Sequence, residues 1–270
     1  MSPPSLGFKL GKTEAYIVDL LREKGYVHLT LFDPEIKDPA SLARLAKLSE
    51  EMGTDGFMVG GSTVYFREMM DEAIKAIKSV SSLPVIIFPS NITSVSPYAD
   101  AIFYMSLLNS LEWWFILGAQ IHASFLVKEY GLEPIPMGYV VFKGETSVAA
   151  VGRAFPLPES KPAIVASYAL AAQLLGMRLI YLEAGSGADS PIPPQLIRIV
   201  RKAVDIPIIV GGGIRSGEDA AEIIRAGADI IVTGTLVEQA PERLAGLVKS
   251  ARMAARERPP AITRYTGQMT

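Results

Sequence analysis

Residues 178–238 carry three glycine-rich marks: YLEAGSGA at 181–188, GGGIRS at 211–216 and TGT at 233–235. Each stands directly behind a short aliphatic run (RLIYL, IPIIV, ADIIV), and the last two precede a helical pattern. That order is strand, glycine turn, helix, repeated. A glycine turn at the end of a parallel strand brings unobstructed backbone N–H groups together, an arrangement suited to a phosphate. Three such turns in succession point to one phosphate pocket.

Outward from that stretch the same alternation continues. The hydrophobic patterning predicts strands at 26–31, 56–59, 84–88, 100–104, 136–142, 179–182, 207–210 and 229–232. Helical spacing covers 12–24, 39–52, 65–80, 110–130, 161–175, 194–204, 217–225 and 241–255. Only about a dozen residues separate the third and fourth strands, too few for a full crossover helix. No Gly-x-Gly-x-x-Gly turn follows the first strand. The pattern therefore favours an α/β fold of the modified (β/α)8 TIM-barrel type, with the helix after strand three reduced or absent, over an open doubly wound sheet. One domain is expected over residues 1–270, with a lead-in at 1–11 and a loose tail at 258–270.

Composition excludes several function classes. A hydrophobic content of 49%, 20% charged residues and a length of 270 describe a chain that buries a sizeable core. The net charge of −2 gives a nucleic-acid partner no positive field to bind. Without cysteine there are neither disulfides nor thiolate metal sites. The opening MSPPSLGFKLGK lacks the apolar core of a secretory signal, and the expected location is cytoplasmic. Residues 101–121 are largely apolar and long enough to raise a membrane question. Asn109, Ser110 and Glu112 interrupt them, with Asn109 and Glu112 spaced as a capping box, so a strand, a turn and a helix are predicted and no transmembrane segment.

In such a barrel the working face is the carboxyl end of the strands, and phosphates are commonly held by the loops after strands seven and eight with a short extra helix. Gly212, Gly213, Gly234 and Thr235 fall in those loops, and GTLVEQ at 234–239 has the makings of the helix. Glu183 ends strand six, where its carboxylate can bind or deprotonate a substrate hydroxyl; pairing with Arg178 or Arg215 is its structural alternative. Asp33 and Ser62 follow strands one and two, and a carboxylate beside a hydroxyl suits Mg²⁺ when a diphosphate completes its shell. Helix capping is the alternative for Asp33. His28 and His122 have no metal-ligand spacing and are expected to be structural. Lys143 admits a second chemistry, a Schiff base in a sugar-phosphate lyase or isomerase, and a polyisoprenoid binder without catalysis is a third reading. The loop at 143–160 is long enough to cover a site.

Taken together, YLEAGSGA, VGGGIRSGEDA and IVTGT near the end, with HLTLFDP and GFMVGGST near the beginning, resemble the geranylgeranylglyceryl phosphate synthase family, archaeal prenyltransferases of membrane ether-lipid biosynthesis. The resemblance implies a barrel without one helix after strand three. It implies transfer of a prenyl group from geranylgeranyl diphosphate to sn-glycerol 1-phosphate, with Mg²⁺ and release of diphosphate. By motif position Asp33 and Ser62 would carry the metal, and Tyr181, Leu182, Glu183, Ala184, Gly185, Ser186 and Gly187 the glycerol phosphate, together with Gly212, Gly213, Gly234 and Thr235. Glu183 and Tyr181 would be catalytic. Phe88, Phe103, Tyr104, Leu107 and Leu108 are candidates for a prenyl trough, each equally a core residue. Some relatives use longer donors. Some also place a lysine immediately after the acidic pair of the first loop, whereas DPEIK here puts Lys37 one position away. Family members assemble as dimers or hexamers, so a homo-oligomer is expected, with the aromatic run Trp113, Trp114 and Phe115 available to an interface or the core.

Overall fold

Eight parallel strands close on themselves in sequence order, with the last paired to the first. They are β1 Val27–Phe32, β2 Gly56–Val59, β3 Val85–Ile87, β4 Ala101–Leu107, β5 Glu133–Val141, β6 Leu179–Glu183, β7 Ile208–Gly211 and β8 Ile230–Thr233. The open doubly wound alternative is thereby excluded. This computed structural model describes residues 10–35, 37–63 and 66–258. The lead-in before residue 10, the tail after 258 and the predicted helix start at Tyr65 lie outside the described residues.

Helices α1 Lys12–Lys24, α2 Pro39–Glu51 and α3 Arg67–Lys78 belong to the first two strands. After β3 there is only a 3-10 turn, Ile92–Ser94, as the short spacing required. Then come α4 Ala119–Glu129, α5 Ser147–Val151, α6 Pro162–Leu174, α7 Pro194–Ala203, α8 Gly217–Ala226, α9 Thr235–Gln239 and α10 Leu244–Arg256. The caps explain their starts: the Asp38 carboxylate accepts from the Ser41 N–H at 3.0 Å, and Ser216 and Asp219 form a full capping box.

Alternation along the strands sorts side chains into two layers. Leu29, Met58, Phe103, Met137 and Ile209 fill the barrel, while Phe57, Val140, Leu182 and Val210 pack against the outer helices. Helix α1 closes the amino-terminal end, for Ile17, Leu20 and Leu21 join the inner cluster. Its own amino end is held by the Glu133 carboxylate, which accepts from the N–H groups of Thr13 at 2.7 Å and Glu14 at 2.8 Å. Only the opposite mouth is left for a ligand.

One local prediction fails. Asn109 does not cap the helix after β4; its side chain donates to Val141 O and Phe155 O, both at 2.8 Å, and accepts from Val141 N at 3.1 Å. The helical path starts later, through a π-helical turn at Trp114–Gly118 that leads into α4. The wide turn frees carbonyls, and β4 side chains satisfy them: Ser106 Oγ donates to Ile116 O at 2.7 Å and the Tyr104 hydroxyl to Gln120 O. Among the described residues no helix is long and apolar enough to cross a membrane.

Candidate active site

The three glycine marks converge at the mouth. At the end of β6 the strand period sends Tyr181 and Glu183 inward, and Leu182 and Ala184 into the layer beneath the helices. The side chains of Leu182 and Ala184, both expected among the glycerol phosphate contacts, are fully buried in that outer layer, which leaves their backbone to meet a ligand. Beyond them Gly185 and Gly187 adopt φ of 106° and 75°, and Gly212 and Gly213 adopt 81° and 70°, a region that favours glycine. A Cβ at Gly212 would overlap the Glu183 carboxylate and the Gly185 backbone, so the first and second marks fit together only as glycines.

Glu183 is 6% exposed and has neither Arg178 nor Arg215 as a partner. Arg178 pairs with Glu14 at 2.6 Å at the far end of the barrel, and Arg215 donates to Ala188 O at 3.0 Å. Instead the carboxylate accepts from Gly185 N at 2.6 Å, from the Tyr139 hydroxyl at 3.2 Å and from the Tyr181 hydroxyl. Burial pushes its pKa up, and these three donors pull against that. Burial likewise raises the two tyrosines, so both stay protonated and able to donate. Phe88 stacks on Tyr181 at 5.6 Å and meets Tyr139 edge-on at 5.4 Å, completing an aromatic wall beside the carboxylate.

Two cavities meet here. One is lined by Ser186, Gly187, Gly212, Gly213, Gly234 and Thr235, with Arg215 and Arg243 at its edge. The other is apolar, running past Phe88, Phe103, Tyr104 and Leu107 to Phe115, Ala119 and Ala123 on the helix after β4. Glu183, Ser186, Gly234 and Thr235 line both. At the opposite rim of the apolar cavity stand Asp33 and Ser62. Asp33 does not cap α2; its carboxylate accepts from Glu35 N at 2.9 Å, and a Cβ on Gly61 would occupy the space it fills.

A profile of the PcrB family matches residues 18–252. The chain belongs to the PcrB family. Geranylgeranylglyceryl phosphate synthase of Pyrococcus abyssi is 53% identical over 230 residues, 85% of this chain and 91% of that relative. The enzyme of the same name from Thermofilum pendens is 45% identical over 251 residues, 92% and 98% of the two chains. Among solved structures, (S)-3-O-geranylgeranylglyceryl phosphate synthase of Thermoplasma acidophilum, in complex with sn-glycerol-1-phosphate, superposes with a TM-score of 0.86 at 44% identity, covering 91% of this chain and 100% of that one.

In this PcrB-family barrel the remaining sequence expectations separate. Leu108 leaves the trough, since it packs against the outer core. The run at 113–115 splits three ways: Trp113 is exposed, Trp114 lies against His122 at 5.2 Å between ring centres, and Phe115 lines the apolar cavity. His28 is structural, with Nδ1 at 2.9 Å from Thr54 Oγ1 and Nε2 at 2.9 Å from Thr233 Oγ1. Lys143 donates to Ser190 O and Oγ, each at 2.9 Å, and lines neither cavity, which leaves the Schiff-base reading without support. Sequence reasoning missed Arg243, and considered Arg215 only as a partner for Glu183; its place inside GGGIRS was the available signal.

Proposed function

We propose that the chain is a geranylgeranylglyceryl phosphate synthase, joining geranylgeranyl diphosphate to sn-glycerol 1-phosphate in ether-lipid biosynthesis, with diphosphate as the second product. The observation that carries this reading is the position of Glu183 where an apolar cavity and a glycine-lined cavity meet. Glycerol phosphate fits the second, its phosphate against the loops of Gly212, Gly213, Gly234 and Thr235 with Arg215 and Arg243 nearby. The prenyl chain fits the first, where each buried methylene contributes about 0.8 kcal/mol. Glu183 then faces the glycerol hydroxyl that must lose its proton. A buried carboxylate of raised pKa, ordered by Tyr139 and Tyr181, is a stronger base than a solvated one. As the allylic C1–O bond breaks, positive charge grows on C1, and the rings of Phe88, Tyr139 and Tyr181 suit that charge.

Mg²⁺ is part of the proposal. Among the described residues there is no cluster of three His, Cys, Asp or Glu. Asp33 and Ser62 offer two hard oxygen donors in the loops after the paired strands β1 and β2, open to the cavity, which fits an ion that keeps waters and substrate phosphates in its shell. When bound, the ion neutralises charge on the departing diphosphate. The residues' own part is to hold that end of the donor against the rim, across the mouth from Glu183.

Trp113, Leu117, Ile121 and Phe125 recur every four residues and are all exposed, Phe125 to 82%. Such a stripe is large for a monomer's surface, and it supports assembly as a homo-oligomer, a dimer or a hexamer. Cytoplasmic location completes the reading.

Incubation with geranylgeranyl diphosphate, labelled sn-glycerol 1-phosphate and Mg²⁺ tests the reaction. It should give a solvent-extractable ether, lost with a chelator and reduced about a hundredfold in Asp33→Asn. Equal yield from a donor five carbons shorter or longer would contradict the C20 assignment, and equal activity in chelator would remove the metal.

A further inference from the structure

The segment between β5 and α6 touches both halves of the site. On the acceptor side Lys143 holds Ser190 O and Oγ at 2.9 Å, and the Thr146 side chain fills the space a Cβ on Gly185 would need. On the donor side Val148, Val151 and Gly152 line the apolar cavity. Between them lies α5, capped by Thr146.

What fixes the segment comes from the turn after β4. Asn109, 3% exposed, makes two side-chain donations, to Phe155 O and to Val141 O, both at 2.8 Å. Its backbone O accepts from Phe155 N at 2.7 Å, and Leu111 N donates to Arg153 O at 2.9 Å. Ser110 Oγ adds a bond to Gly152 O at 2.7 Å, beside an antiparallel bridge between Ser110 and Ala154. Arg153, among the described residues, is the one non-glycine with positive φ, at 50°. The far side of the wall is thus tied to β5 through a single buried amide, with every polar atom of that amide used.

We infer that this segment is the water-excluding wall over the point where the two substrates react, and that Asn109 is the residue that positions it. The inference rests on the proposed prenyl transfer. A cation forming at C1 combines with whichever oxygen is nearest, and the glycerol hydroxyl wins only where water is kept out. If the wall is loosened, water competes: the C1–O bond to diphosphate breaks with its electron pair leaving on diphosphate, a water oxygen bonds to C1, and the second proton of that water passes to buffer. The product is then the free prenyl alcohol.

The test measures ether and prenyl alcohol together, with the full chain, Mg²⁺, geranylgeranyl diphosphate and sn-glycerol 1-phosphate. Asn109→Ala is the main variant. Ser110→Ala, which loses the hydroxyl's bonds to Gly152 O and to the Glu112 backbone but keeps the Asn109 amide, covers the case in which the first does not fold, as judged by circular dichroism. The ratio of alcohol to ether should rise roughly tenfold in Asn109→Ala and by a smaller factor in Ser110→Ala. A merely structural role lowers both products in step. Folded variants that turn over slowly at the wild-type ratio overturn the inference while leaving the reaction standing. No ether from the wild-type chain overturns both.

Discussion

The Tyr139 hydroxyl donates to the Glu183 carboxylate at 3.2 Å, with both side chains buried where the two cavities meet. That bond favours the ionised carboxylate and opposes the effect of burial. In the proposed role Glu183 acts only when ionised, so activity should fall as pH drops through its raised pKa. Tyr139→Phe removes a donor, so the acid limb of kcat/KM should move to higher pH and kcat should drop about tenfold. An unmoved acid limb in a folded variant would separate Tyr139 from the ionisation of Glu183.

Gly212 carries a φ of 81° and leaves no room for a Cβ beside the Glu183 carboxylate and the Gly185 backbone. Gly212→Ala should raise KM for the glycerol phosphate by about tenfold or more through displaced loops and a strained backbone, with little change in KM for the prenyl donor. Steady-state kinetics with each substrate varied in turn checks this; an equal rise in both constants argues against separate half-sites.

His28 is buried between Thr54 and Thr233, and burial lowers its pKa from 6.5 to about 3. In the unfolded chain the ring binds a proton below about pH 6.5, whereas in the folded chain it does so only near pH 3. The unfolded state therefore binds more protons in that window, and His28 makes stability fall as pH drops through it, with a slope of up to about 1.4 kcal/mol per pH unit. Urea unfolding at stepped pH should show a shallower fall in His28→Gln. Identical slopes would mean that the ring is already protonated in the fold.

The stripe of Trp113, Leu117, Ile121 and Phe125 gives a test of assembly. Phe125→Glu should lower the mass found by sedimentation, because a charge would be buried without a partner. Activity per chain is expected to persist, as Phe125 lines neither cavity. An unchanged mass places the interface elsewhere.

Much of this was legible in the chain. The eight aliphatic runs each became a strand, and the short spacing after β3 correctly announced a missing helix, because hydrophobic periodicity and connection length are local properties. Glu183 was legible because a strand end fixes where its last inward side chain points. Tyr181 was legible with it, two residues back on the same face of β6, whereas Arg243 and the Tyr139 hydroxyl were harder to see, since they arrive from the turn before α10 and from β5 and meet the site only in three dimensions. The Asn109 error has the same origin: its spacing to Glu112 matched a local cap, but partners on β5 and at Phe155 took its side chain. Leu182 and Ala184 belong to the same contiguous motif, and strand alternation turns their side chains away from the mouth while their backbone stays in the strand that ends there.

In the proposed reaction one buried carboxylate, Glu183, serves the junction of a prenyl cavity and a glycerol phosphate cavity. The most direct test is single-turnover ether formation by wild type and Glu183→Gln, with both substrates saturating as shown by separate binding titrations. The variant should bind both substrates within a few-fold of wild type yet form ether at least about a hundredfold more slowly. Ether formation at the wild-type rate in the saturated variant would contradict that role.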